Sequence, residues 1–96
     1  MNVKRLLKLH SRAKRTRQRG HRAPSMLAML AYIRGLERTL AGLERQPDIE
    51  GSLMLAWSLL ETERDFRRVA KVLDQAQQRL HKLLHKLDRQ YRYRKP

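Results

Sequence analysis

The chain is 96 residues long, enough for one domain, and its 23 Lys and Arg against 9 Asp and Glu leave a formal net charge of +14. Its hydrophobic content of 41% is too high for a purely disordered basic tail. The absence of cysteine excludes disulfides, thiolate metal sites, iron–sulfur clusters and cysteine nucleophiles, and the longest uncharged runs, Ala23–Ile33 and Gly51–Leu60, fall far short of the roughly 20 apolar residues of a membrane span.

The first segment, residues 1–24, holds nine basic residues and no acid. Val3, Leu6, Leu7 and His10 fall on one face, which predicts at most a small helix at its start. From Arg12 to Arg22 the run of arginines resembles an arginine-rich nucleic-acid-binding segment of the kind that orders on binding. The expectation is therefore a basic, partly disordered N-terminal segment whose removal spares the rest of the fold. Arg12, Lys14, Arg15, Arg17, Arg19 and Arg22 are its candidate phosphate contacts, since guanidinium groups suit bidentate phosphate binding. Such a cluster also satisfies the loose patterns of a transit peptide or a nuclear-localisation signal. Cytoplasmic residence is the expected location.

Gly20 and Pro24 bound a breaker cluster, and Gln46-Pro47-Asp48 forms another. Between them Met26, Met29, Ile33, Leu36, Leu40 and Leu43 recur every three or four residues, predicting an amphipathic helix from about Ser25, its N-cap, to Arg45. Gly35 and Gly42 lie inside it and are read as sites of close helix packing. Asp48 can cap a second helix with Leu53, Ala56, Trp57 and Leu60 on its apolar face. The polar run from Glu61 to Asp65 either starts a new helix, with Thr62 and Asp65 at capping-box spacing, or lies within a longer one.

The strongest periodicity comes last. Phe66, Val69, Leu73, Ala76, Leu80, Leu83, Leu87 and Tyr91 predict a helix from about Glu63 to Gln90. Set Leu80 at zero on a helical wheel, and Arg68, Lys71, Arg79, Lys82, Lys86 and Arg89 fall on the opposite and adjoining side. Few acids interrupt that row, so pairing of opposite charges one turn apart is largely absent. Cations at helical pitch suit neutralisation of a phosphate backbone. In the tail, Arg92, Tyr93 and Arg94 interleave arginine with an aromatic ring, the pattern that stacking on a single strand would use.

No strand pattern is present. The fold class is all-α: an antiparallel helical hairpin or small three-helix bundle over residues 25–90, preceded by the basic segment and followed by a basic tail, residues 91–96. The seven-residue spacing of the leucine faces admits a homodimer. His81 and His85 sit one turn apart, but with no cysteine and no evident third ligand from another element, no metal site and no cofactor is expected. No phosphate loop, nucleophile elbow or carboxylate pair marks an active site.

These features favour a non-enzymatic nucleic-acid-binding protein, a structural or accessory subunit of a nucleoprotein complex. RNA or a single strand is slightly preferred over duplex DNA, because the long helix lacks an evident base-reading cluster. The alternative is a helical adaptor docking on an acidic partner protein.

Overall fold

The structure is a computed structural model that describes residues 2–19, 25–62 and 65–94, with backbone alone for Arg19 and for Arg92, Tyr93 and Arg94. Its elements are four helices: α1 (Val3–Arg19), α2 (Met26–Ala41), α3 (Pro47–Thr62) and α4 (Phe66–Arg94). No strand occurs among the described residues.

Each helix begins on a local polar device. Asn2 accepts the Arg5 N–H at 3.2 Å, and Ser25 accepts the Ala28 N–H at 3.2 Å, as its N-cap reading predicts. At α3 the cap is not Asp48. Pro47 opens the helix, where its missing N–H is no loss, and the Glu50 carboxylate turns back to accept the Gln46 N–H at 2.9 Å. Asp65 accepts the Arg68 N–H at 3.2 Å and so starts α4 as a separate helix. Thr62 is not its boxed partner, because its hydroxyl donates to the Ser58 carbonyl within α3. Gly42 closes α2 four residues earlier than the apolar periodicity suggested, with its N–H on the Thr39 carbonyl and that of Leu43 on Leu40.

The main departure from the sequence expectation is α1. It is a helix throughout Val3–Arg19, not a partly disordered leader, and it belongs to the core. Val3, Leu6, His10 and Ala13 are buried. The apolar face read from sequence ends at His10, and Ala13 extends it by one more turn. In the fold Ala13 meets Gly35, and Leu6 meets Gly42, so α1 and α2 run antiparallel. A Cβ on Gly35 would sit 3.0 Å from that of Ala13, and one on Gly42 would overlap the Leu6 side chain. Both glycines therefore serve close helix packing. Gly20–Pro24, the first breaker cluster, lies outside the described residues.

The expected α2–α4 hairpin is also corrected. At 16 residues α3 is as long as α2 and carries the chain back along the bundle. Helix α4 therefore runs parallel to α2, with Tyr32 reaching Asp74 near one end and Gly42 lying beside Leu83 and Leu87 near the other. Helix α1 lies against both and antiparallel to both, while α1 and α3 do not touch among the described residues.

Met29, Ile33, Leu36, Leu73, Leu80 and Leu84 form the centre of the core, none of them exposed. Leu84 takes the buried place assigned to Leu83, which is half-buried beside Leu87. Docking of α1 explains this, since it covers the side of α4 on which Leu84 and Ala70 lie. At 29 residues α4 is about 43 Å long, and its last turns extend past the buried layer, leaving Tyr91 exposed. No described helix is long and apolar enough to cross a membrane.

Candidate nucleic-acid interface

Helix α1 carries eight cations and no acid. Its buried stripe turns Lys4, Arg5, Lys8, Arg12 and Arg15 to the opposite, exposed face. Lys8, Arg12 and Arg15 line a shallow groove there with Leu7 and Ser11. Positions three and four apart are neighbours on a helix, so these like charges repel one another along the whole face. Lys14 is half-buried on the shoulder toward α4.

Helix α4 supplies a second cationic row. Lys71, Arg79, Lys82, Lys86 and Arg89 are all exposed, as expected from their places opposite the Leu80 stripe. Helix α3 is the reverse of α1, with Asp48, Glu50 and Glu61 and no Lys or Arg. Because α1 and α3 do not touch, the bundle separates its charge across its diagonal.

Arg17 does not join the exposed face. Its Nε donates to Asp74 Oδ1 at 3.1 Å and its Nη2 to Oδ2 at 3.4 Å, with only 16% of the side chain exposed. The Tyr32 hydroxyl donates to the same Oδ1 at 2.9 Å. Burial, and then the Asp74 charge, push the Tyr32 hydroxyl well above its ordinary pKa, so it remains a donor. Sequence alone groups Arg17 with the candidate phosphate contacts, because its partner lies 57 positions away. Arg19 is helical with no described side chain, as are Arg92, Tyr93 and Arg94, and Arg22 lies outside the described residues.

The seam between α1 and α4 is lined by histidine. His10 is buried, and its ring centroid lies 5.4 Å from that of His81, which in turn lies 4.2 Å from that of His85. His10 thus provides the third imidazole that sequence could not place. Even so, among the described residues no group of His, Asp and Glu is arranged to hold a metal ion. The Gln77 amide nitrogen is 3.1 Å from His10 Nε2 and can only donate, so that ring nitrogen accepts and is unprotonated. His10 Nδ1 and His81 Nδ1 are buried with no partner. Desolvation, then the charges of His81, Lys14 and His85, lower the His10 pKa from 6.5 to about 4. Desolvation and then His85 lower that of His81 as well. His81 is partly buried, with its Nδ1 turned inward, whereas His85 is exposed.

Two arginines were overlooked. Arg34 and Arg38 are exposed on α2 beside α1. The near-neutral balance of residues 25–47 hides them, although one of its acids, Glu37, is turned to α3, where it accepts the Trp57 indole N–H. Compared with family models, curated proteins and solved structures, this chain matches none.

Proposed function

We propose that this protein is a non-enzymatic nucleic-acid-binding subunit that holds phosphates on the faces of α1 and α4. One observation carries the reading. Burying α1 leaves a row of exposed cations with no acid on the helix and with the acidic helix across the bundle diagonal. Folding alone gives no reason to assemble that row, since mutual repulsion opposes it. A phosphate backbone supplies anions at matching density, one per about 1.7 Å of duplex axis.

The adaptor reading is supported less well. An acidic partner protein would want a shaped apolar groove among the cations, whereas the groove along α1 is shallow and mostly basic in its lining. Binding of labelled nucleic acid across a salt series tests the proposal. Affinity should fall steeply, with a log–log slope of about −0.7 to −0.9 for each phosphate neutralised. Lys8→Glu with Arg12→Glu and Arg15→Glu should abolish binding with the helical spectrum retained. Salt-insensitive binding, or none at low salt, would refute it.

A further inference from the structure

The cationic surface turns from α1 onto α2. Ala13 meets Gly35 and Leu6 meets Gly42, so equal steps along the two antiparallel helices keep them in register. A cleft of about 350 Å³ opens to solvent along this seam. Ala13, Ala31 and Gly35 keep its floor low, and Arg12 from α1 stands over it with Arg34 and Arg38 from α2. The register gathers the three arginines around one point. Arg34 and Arg38 are one turn apart, about 6 Å along the axis. Counted from the Ala13–Gly35 contact, Arg12 stands level with Leu36, about 3 Å along the axis from each of them.

All three arginines are exposed, and no acid lines the cleft. Neither the Arg17–Asp74 nor the Arg45–Glu50 ion pair draws on them. Within a turn of them along either helix the one acid is Glu37, which accepts the Trp57 indole N–H from α3 instead. Thr16 also lines the cleft, but its hydroxyl donates to the Arg12 carbonyl at 3.0 Å, so the remaining side-chain donors are the guanidinium groups. Arg38 lies in the last turn of α2, where a cation also suits the helix dipole. Arg34, at mid-helix, has no such reason, and with Arg38 it makes a like-charge pair one turn apart that weakens the helix. An anion seated among the three would turn this repulsion into attraction. Planar donor forks converging over small side chains suit a phosphate, whose oxygens take bidentate contacts.

We infer that Arg12, Arg34 and Arg38 share one phosphate of the bound nucleic acid in this cleft. The inference rests on the nucleic-acid reading above and adds α2 to the surface proposed there. The outer row of α1 meets phosphates from a single helix, whereas here one phosphate is held from two, and it clamps α1 to α2.

The test is fluorescence anisotropy of the full chain with a labelled mixed-sequence DNA duplex and, separately, one of its strands, each across a salt series. Arg12→Ala with Arg34→Ala and Arg38→Ala should weaken the tighter of the two complexes by at least about tenfold. One shared phosphate releases one phosphate's counterions, so the salt slope should flatten by about 0.9 for the duplex or about 0.7 for the strand. Three separate contacts would flatten it by about 2.7 or about 2.1. The three side chains are exposed and repel one another, so the thermal melt of the variant should not fall, which verifies the fold. Flattening by twice the single-phosphate value or more, or unaltered affinity, would overturn the shared site and leave the nucleic-acid reading standing. Binding to neither probe at low salt would overturn both.

Discussion

Acidification should loosen the bundle through His10. The unfolded chain protonates this ring near 6.5, whereas burial between α1 and α4 holds the folded ring neutral until about 4. A group depressed in this way leaves stability intact above the unfolded value, and stability falls as pH drops toward the folded one. Each pKa unit corresponds to about 1.4 kcal/mol, so His10 alone should withdraw about 2 kcal/mol by pH 5 and about 3 kcal/mol by pH 4. His81 moves in the same direction. From α4 the ring faces Gln77, His81 and His85, and from its own helix Lys14, so among the described residues around it the charges are cationic and oppose a new one. Urea denaturation followed by circular dichroism at pH 7 and pH 5 would measure the loss. Carboxylates titrate over part of the same range, and for that reason the control is His10→Leu. That variant removes the ring and its buried unpartnered Nδ1, and its loss between the two pH values should be smaller by about 2 kcal/mol. An identical loss in both proteins would show that the ring is not held neutral by the fold. Bound nucleic acid should oppose the effect, because phosphates beside the seam stabilise the protonated rings.

Other expectations follow from the packing. Leu80→Ala should cost roughly 2–5 kcal/mol in chemical denaturation, since that side chain has no exposure, while Lys82→Glu with Lys86→Glu should leave the melt nearly unchanged and weaken nucleic-acid binding. Asp74→Ala should destabilise by roughly 1–3 kcal/mol by leaving the Arg17 guanidinium and Tyr32 hydroxyl without their shared acceptor; a melt matching wild type would mean that the pair is dispensable. Deletion of residues 1–22 should unfold the bundle, not trim a tail, because it strips Val3, Leu6, His10 and Ala13 from the core. A truncated protein with undiminished helicity and a cooperative melt would contradict the packing of α1.

Much of the fold was legible where periodicity and capping agree. Ser25 as N-cap, the Leu80 stripe and the packing role of the two glycines needed no more than spacing and residue type. What escaped the sequence was long-range. Ala13 and Gly35 reveal their contact only when α1 and α2 are laid together, and without that contact a basic run with one alanine reads as a flexible leader. The same omission hid the third histidine, the partner of Arg17 and the rotation of the buried face of α4 toward Leu84. Exposed cations on α4 were legible because helical pitch sorts them from the apolar positions within a single helix, whereas the run from Arg12 to Arg19, read as a leader, gave no pitch to separate the paired Arg17 from its exposed neighbours. Arg34 and Arg38 were not legible either, because the cleft that gives them a role is made by two helices.

The charge that fits α1 for a polyanion also weighs against its own docking. Its eight cations repel one another, and its hold on the bundle comes from Val3, Leu6, Ala13, the buried His10 and the Arg17–Asp74 pair. Nearly all of those attachments depend on side chains on the inner face, while the repulsion arises mostly on the outer one. A phosphate backbone laid on the outer face would cancel the repulsion without touching the inner contacts, so binding and the docking of α1 are thermodynamically linked. The linkage is reciprocal. Ligand should protect the α1 amides from hydrogen exchange more than those of α3, and substitutions that weaken the α1 seam should lower affinity even when they lie far from any phosphate.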